Sequence, residues 1–363
     1  MAGAGMLAAS AALAKLPAGS HYDRAIVIDG LGTPDDPDGK DGSFELSPRG
    51  LAQIRNSGAT AWQVTVGDVG NLPTNWDNSV DQTAYWSGLI AANPKVFILA
   101  RTAADIREAK ASGRAAIIFG TQDTAMAGTN LDRLDTLGNL GVRVVQLTYN
   151  NRNLSGDGAL ESANAGLSKL GYKTIERIEK NKQLLDLSHG GQRTIAEAIA
   201  TAKRPPTISH TGCRSVYDHP RNVWDAELKA LADKGGVVGI YWMPFLVAGG
   251  KPTTADLVRH ISHAVDVCGE DHVGIGTDGG LREIVVDAKY RAEAKKSNED
   301  RTARGIAAPG EGPEVFPFIA ELNSPMRFRM LGEALDKAGW SAARVDKVLG
   351  GNLLRLYGEA WGG

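Results

Sequence analysis

The chain has 363 residues, and its 40 Lys and Arg side chains nearly balance 42 Asp and Glu, for a formal net charge of −2. This charge argues against a nucleic-acid binder, because no basic field is present to release counterions from a phosphate backbone. A hydrophobic fraction of 42% and a charged fraction of 23% are ordinary for a globular protein and exclude an intrinsically disordered chain. The length allows two domains or one large one.

The start of the chain has the composition of a leader. Residues 1–14 are small and apolar and end in Ala-Leu-Ala before Lys15, which is typical of the end of an export signal. A harmless alanine-rich leader is the alternative, because the positively charged start of a signal is missing. We therefore expect residues 1–20 to be the remnant of an export signal and residues 21–363 to form one domain, exported to the periplasm. No segment reaches the roughly 18 uninterrupted apolar residues of a membrane-spanning helix.

Short runs rich in β-branched residues recur along the chain, each followed by a polar or helical stretch. Their apolar character is continuous rather than alternating, which is typical of strands buried on both faces of a parallel sheet. Eight such runs predict a closed (β/α)8 barrel, the TIM barrel, rather than an open sheet. The predicted strands cover residues 25–29, 60–66, 114–120, 142–149, 183–189, 206–210, 236–242 and 272–278.

Two long segments directly follow predicted strands. Residues 30–47 are rich in Asp, Gly and Pro, and residues 289–314 carry a dense run of charges that ends in Pro and Gly. We expect both to be loops, because segments of this length inside a domain are usually functional lids or disordered. Amphipathic helices are predicted at residues 194–202 and 224–234, and closing helices at 326–335 and 342–356.

Three polar side chains end predicted strands at the face where barrel active sites are built. His189 and His210 end the adjacent fifth and sixth strands, so their imidazoles could hold a Zn²⁺ ion; they could instead hydrogen-bond a substrate or each other's loops. Asp278 ends the eighth strand and is the natural general acid or base, the alternative being an N-cap of the next helix.

Two cysteines, Cys213 and Cys268, are too few to form a zinc cluster. Two buried apolar side chains are the simplest interpretation, with a disulfide between them as the alternative.

Several segments together resemble the membrane dipeptidase family, the renal dipeptidase-like peptidase family M19 of the amidohydrolase superfamily. The resemblance covers nearly the whole chain after the leader, from about Ala25 to Leu356. The segments that carry it are Asp186-Leu-Ser-His189, Ile208-Ser-His210, His219-Pro-Arg-Asn222 with Asp225, Gly141-Val-Arg143 to Thr148 with Asn150, Gly235-Gly-Val237, Gly269 to Asp278, and Gly350-Gly-Asn-Leu-Leu-Arg355.

The resemblance implies a metallo-dependent hydrolase with a binuclear zinc site. His189 and His210 would bind one metal, Arg221 would hold the substrate carboxylate, and Asp278 would transfer the proton. Members of the family often form dimers, so a homodimer is one expectation.

The chain departs from the family pattern at several ligand positions. Leu31 and Thr33 stand where the family has His and Asp, and Gln122 stands where a glutamate bridges the two metals. At most one zinc ion is therefore expected, held by His189 and His210 with the Gln122 oxygen and water.

Other acidic and aromatic residues bear on this expectation. A tyrosine, Tyr149, replaces the family's substrate-contacting histidine. Replacement ligands could come from Asp35, Asp36 or Asp38. The literal His21-Tyr-Asp23 motif precedes the first strand and is expected at the opposite face of the barrel.

Three functions remain open from the sequence. The first is a hydrolase that cleaves a dipeptide or small amide with metal-activated water. The second is a metal-free enzyme that uses Tyr149, His189, His210 and Asp278 for acid and base catalysis on a peptide-derived molecule. The third is a catalytically silent protein that binds carboxylates through Arg221.

Overall fold

The computed structural model describes residues 21–40 and 42–362. The predicted leader lies outside these residues, and the single-domain boundary at residue 21 stays a prediction. The strands are β1 (Ile28–Asp29), β2 (Gly32–Thr33), β3 (Ala61–Thr65), β4 (Phe97–Leu99), β5 (Ala115–Thr121), β6 (Val142–Gln146), β7 (Leu184–Asp186), β8 (Thr207–Thr211), β9 (Val237–Ile240), β10 (Val273–Ile275) and β11 (Gly279–Gly280).

Eight of these strands form the predicted parallel barrel, and each coincides with one of the eight predicted runs. They pair in the order β1-β3-β5-β6-β7-β8-β9-β10. The ring is completed where the Gly30 N–H donates to the Ile275 carbonyl at 2.8 Å. The short strand β4, which the sequence analysis missed, pairs with the amino-terminal half of β5, while β6 pairs with its carboxyl-terminal half. The (β/α)8 prediction is confirmed.

Helices alternate with the barrel strands and cover them. They are α1 (His21–Arg24), α2 (Pro48–Asn56), α3 (Asn75–Ala92), α4 (Ala103–Ser112), α5 (Asp132–Leu140), α6 (Lys169–Lys180), α7 (Gln192–Thr201), α8 (Asp225–Asp233), α9 (Thr254–Cys268), α10 (Ala288–Ala303), α11 (Arg327–Lys337), α12 (Ala342–Asp346) and α13 (Asn352–Trp361). None of the described helices is both long enough and apolar enough to cross a membrane.

The last helix packs against the barrel interior. Alternate strand residues such as Ile28, Ala61 and Ala116, which are register neighbours, form one apolar cluster with residues of α13. The chain reaches this position through a kink at Gly350, so the predicted helix at 342–356 is broken in two. A glycine is needed there because a Cβ atom would lie only 2.5 Å from the Ile26 carbonyl oxygen.

The charged segment at 289–314 was expected to be a loop, and this prediction is wrong for its first half. Residues 288–303 form helix α10, whose first turn is capped by Asp287 accepting from the Tyr290 N–H. Pairs of opposite charge four residues apart, such as Lys295 with Glu299 and Asp300 with Arg304, support it along its length. None of its residues is buried, so the apolar pattern that reveals most helices is missing.

Three smaller predictions can be compared with the structure. Cys213 and Cys268 are both buried and both free, so no disulfide joins them. The His21 motif lies on α1, where His21 Nδ1 pairs with Asp346 at 3.1 Å, away from the carboxyl ends of the strands. The described part of residues 30–47 is irregular apart from β2, as predicted.

A buried carboxyl group, Asp29, joins the first and last strands of the barrel. Its Oδ1 accepts from the Thr277 N–H at 2.8 Å and the Leu31 N–H at 3.3 Å, and its Oδ2 accepts from Thr277 Oγ1 at 2.6 Å. Burial raises the pKa of Asp29 to about 7, although these hydrogen bonds and the Arg327 guanidinium oppose the shift. The barrel therefore closes over a carboxyl group that resists ionisation.

Replacing Asp29 with Asn should change the pH dependence of stability. Because the folded-state pKa lies above the unfolded value, Asp29 contributes stability that declines between about pH 4 and 7, by up to about 1.4 kcal/mol per pH unit. The amide of Asn does not titrate in this range. The free energy of unfolding of Asp29→Asn should therefore increase relative to that of the wild type as the pH rises. Urea unfolding from pH 4 to 8 measures this, with exposed Asp77→Asn as the control. Parallel curves for Asp29→Asn and the wild type would contradict the assignment.

Candidate active site

A cavity of about 510 Å³ opens at the carboxyl ends of the barrel strands, where the sequence analysis placed the site. Its floor contains Gln122, Tyr149, His189, Arg221 and Asp278, five of the six predicted site residues. The sixth, His210, does not line the cavity and is fully buried.

The two strand-end histidines contact each other directly. The Nε2 atoms of His189 and His210 lie 2.8 Å apart, which is within hydrogen-bond distance. Burial, together with the nearby Arg221 guanidinium, lowers the pKa of both imidazoles well below the usual value, so both are neutral at pH 7. The metal-binding and hydrogen-bonding roles expected for these two residues stay predictions.

A neighbouring amide fixes the position of the proton on His189. Asn150 Nδ2 donates to the Ile306 carbonyl at 2.7 Å, which leaves its Oδ1 to accept from His189 Nδ1 at 2.6 Å. His189 therefore carries its proton on Nδ1 and has an unprotonated Nε2.

A chain of hydrogen bonds continues beneath the cavity. His210 Nδ1 lies 2.8 Å from Ser209 Oγ, and the Ser209 hydroxyl donates to Asp186 Oδ2 at 2.5 Å. Ser209 therefore has its lone pairs free to accept from His210 Nδ1. Burial raises the pKa of Asp186, although the hydrogen bonds from Ser209 and Ser188 oppose the shift.

Two of the site residues have a left-handed backbone conformation. His189 has φ of 60° and Asp278 has φ of 57°, a region that residues other than glycine rarely adopt. Neither His189 nor Asp278 has the freedom of glycine, so the surrounding structure must hold these conformations. Such strain is concentrated at functional sites.

Arg221 brings a positive charge into the cavity floor. Its side chain is 97% buried, and its Nη2 has no hydrogen-bond partner among the described residues. Its backbone is fixed by the Thr211 hydroxyl, which donates to the Arg221 carbonyl at 2.9 Å, and by His219 Nδ1, which accepts from the Arg221 N–H at 3.1 Å. A buried guanidinium with an unused donor is suited to bind an anion.

Asp278 and Tyr149 face the same space as Arg221. Burial raises the pKa of Asp278 to about 6, against the opposing effect of Arg221 and Arg301. Tyr149 stacks on His189 with ring centroids 4.0 Å apart, and its hydroxyl accepts from Arg301 Nη1 at 3.1 Å. Burial also raises the pKa of Tyr149, so its hydroxyl stays protonated.

Sequence reasoning missed two charged residues of the site. Arg301, on α10, forms a two-point ion pair with Glu311 at 2.6 and 2.7 Å, and both line the cavity. The one sequence feature that pointed to Arg301 and Glu311 was their position in the charged segment after the eighth strand. That segment was predicted to be a lid or disordered, without a residue assigned to the site.

The acidic residues considered as replacement ligands lie elsewhere. Asp35 pairs with Arg282 at 3.1 Å, Asp38 pairs with Arg49 at 3.0 Å, and the Asp36 carboxylate accepts from the Ser47 N–H and hydroxyl. None of the three lines the cavity.

The chain matches the family model of the membrane dipeptidases (peptidase family M19) over residues 51–288. It belongs to this family. It is 34% identical over 182 residues to dipeptidase verJ of Clonostachys rogersoniana, covering 50% of this chain and 47% of that protein. It is 31% identical over 295 residues to an uncharacterized protein in the pqqA 5' region of Klebsiella pneumoniae, covering 77% of this chain and 95% of that protein.

The structural likeness extends over almost the whole chain. An amidohydrolase from Pseudomonas aeruginosa superposes with a TM-score of 0.79 at 29% identity, covering 94% of this chain and 98% of that one. By contrast, this chain spans only about half the length of several dipeptidases that it matches in sequence.

The residues present do not fit the two-zinc centre that membership of the family would imply. The described residues hold no group of three or more His, Cys, Asp or Glu side chains placed to bind a metal ion. The two imidazoles of His189 and His210 fall short of the three protein ligands usual in catalytic zinc sites. The expectation of at most one zinc ion stays a prediction.

Restoring the missing ligands should raise the zinc content. Leu31 and Thr33 lie beside Asp278, because the Asp278 N–H donates to the Leu31 carbonyl at 2.8 Å and β2 pairs with β11. The triple variant Leu31→His, Thr33→Asp, Gln122→Glu should bind more zinc per chain than the wild type, which we expect to bind one equivalent or less. Elemental analysis after dialysis against zinc measures this, with Gln122→Glu alone as the control.

Two results would contradict this expectation. Unchanged zinc content in a folded triple variant would show that these positions do not face the site. Two zinc ions per chain in the wild type would show that other ligands exist.

Proposed function

We propose that this chain is a hydrolase of small amides that carry a carboxylate group, dipeptides being the first class to test. The observation that carries this proposal is the buried Arg221, with its unused Nη2, in the same cavity as Asp278. Membership of the dipeptidase family supports it. The guanidinium would bind the substrate carboxylate through paired hydrogen bonds and so fix the scissile amide relative to Asp278.

Asp278 is suited to act as the general base. An ionised Asp278 would take a proton from a water molecule, whose oxygen forms a bond to the amide carbon. The protonated carboxyl would then return the proton to the leaving nitrogen as the carbon–nitrogen bond breaks. A pKa of about 6 is well placed for both transfers near neutral pH.

Tyr149 is suited to stabilise the charge that develops on the amide oxygen. Because its hydroxyl already accepts from Arg301, its own proton is free to be donated into the cavity. Stacking on His189 holds the ring in place. In this proposal His189 supports the ring of Tyr149, and no step passes through a metal ion.

A second candidate function is a carboxylate-binding protein without turnover. The observation that favours it is the buried Arg221, whose unused Nη2 can hold a carboxylate whether or not a reaction follows. Export and dimerisation stay predictions, which neither function requires.

Substitutions at Arg221 should separate binding from catalysis. Loss of the charge-assisted pair in Arg221→Ala should cost about 1.5–3 kcal/mol, or roughly 10- to 150-fold in affinity for a dipeptide. Arg221→Lys should recover only part of this, because an ammonium group lacks the planar fork of donors. Isothermal titration measures the affinities, with Arg214→Ala as a control, because Arg214 lies outside the cavity and pairs with Asp218 at 2.6 Å. Equal affinities for Arg221→Ala and the wild type would exclude the carboxylate clamp.

The pH profile should report on Asp278. The base must be ionised, so kcat/KM should rise as the pH increases through about 6 and level off above it. Asp278→Asn should abolish most turnover while leaving dipeptide affinity nearly unchanged. Stopped assays of amine release from pH 4.5 to 8.5 test both points. Tight binding of dipeptides by a wild-type protein without turnover would favour the silent binding protein instead.

A further inference from the structure

The cavity has two chemically different halves. Its floor is polar and contains Arg221, Asp278 and Tyr149. Another part of its lining consists of apolar side chains, which we call the apolar half. These are Met243, Pro244, Phe245, Val315 and Pro317, with the ring of Tyr290 beside them.

Helix α10 covers this cavity with one face. Tyr290, Ala294, Asn298 and Arg301, spaced three or four residues apart, line the cavity and are partly buried. The opposite face, which includes Ala292, is exposed. No residue of α10 is buried, so its inner face is not packed against the protein core.

The helix is held mainly at its ends. Near its start, the Tyr290 ring packs edge-on against Phe316 with centroids 5.4 Å apart. At its other end, Arg301 binds Glu311 and Tyr149. The middle of the inner face, at Ala294 and Asn298, therefore faces the cavity.

The cavity is longer than a plain dipeptide. Tyr290 and Arg301 are eleven positions apart, which corresponds to about 16 Å along a helix. An extended dipeptide spans roughly 7 Å. A substrate with its carboxylate on Arg221 and its amide at Asp278 would leave the apolar half empty unless it carried a further group. A volume of about 510 Å³ is within the range of sites for ligands larger than a dipeptide of small residues.

We propose that the apolar half and the inner face of α10 form a subsite for a bulky apolar or aromatic group on the amine-terminal side of the scissile amide. This inference rests on the proposed function, because the substrate carboxylate on Arg221 sets the direction of the rest of the molecule. The selected substrate class is a carboxylate-bearing amide with a large acyl part, rather than a dipeptide of small residues. Ala294 is small enough to leave room for this group.

Two probes that share a glycine carboxylate and an amide test this subsite. N-acetylglycine reaches only the polar floor, whereas N-benzoylglycine adds an aromatic ring. We expect N-benzoylglycine to bind about 10- to 100-fold more tightly in isothermal titration of the full chain, because the ring is removed from water in the apolar half.

A matched pair of alanines on α10 localises the effect. Ala294→Trp fills the inner face and should remove the preference for N-benzoylglycine over N-acetylglycine. Ala292→Trp adds the same side chain to the exposed face and should change neither affinity. Thermal unfolding checks that both variants are folded.

The outcomes distinguish the two proposals. Equal affinities of the wild type for the two probes would overturn the subsite and leave the proposed function standing. A preference that survives in a folded Ala294→Trp would overturn the role of α10. Binding of neither probe would overturn the carboxylate clamp of Arg221, and the subsite with it.

Discussion

The contact between the imidazoles of His189 and His210, whose Nε2 atoms lie 2.8 Å apart, ties together the ends of two neighbouring strands at the cavity. Tyr149 stacks on His189, so this contact also sets the position of an aromatic ring in the cavity. Arg221 and Asp278 line the same cavity. A barrel of the dipeptidase family thus places a guanidinium, a carboxyl group and a phenol in one cavity, beside two strand-end histidines.

Buried carboxyl groups join the strands beneath this site. Asp29 links β1 to Thr277, two residues after β10, and Asp186 on β7 accepts from the backbone and the side chain of Ser209 on β8. Burial raises the pKa of both groups. In a barrel interior a neutral carboxyl is cheaper to bury than an ionised one, and it can act as donor and acceptor at once. The polar layer below the cavity is therefore held by hydrogen bonds rather than by net charge.

The segment after the eighth strand completes the cavity from above. Its carbonyl groups reach the floor directly, because Ile306 accepts from Asn150 and Pro309 accepts from His219. Asn150 in turn fixes the proton of His189, and His219 accepts from the backbone of Arg221. A substitution in this segment would therefore alter the surroundings of both the histidine pair and Arg221, although neither belongs to the segment.

The sequence by itself determined the barrel, because eight apolar runs without alternation can only be buried on both faces of a parallel sheet. It also placed Asp278, Tyr149 and Gln122 at the carboxyl ends of barrel strands, which meet at one face, whereas Arg221 was assigned to the site through the family resemblance. Tertiary structure decided the rest. Helix α10 has no apolar stripe, so it is stabilised by charge pairs and by contacts of Tyr290 and Arg301 near its ends. The hydrophobic periodicity of the sequence does not reveal such contacts. The contact of His189 with His210 depends on a distance between neighbouring strands and on the rotation of two rings, and neither quantity is encoded in spacing along the chain.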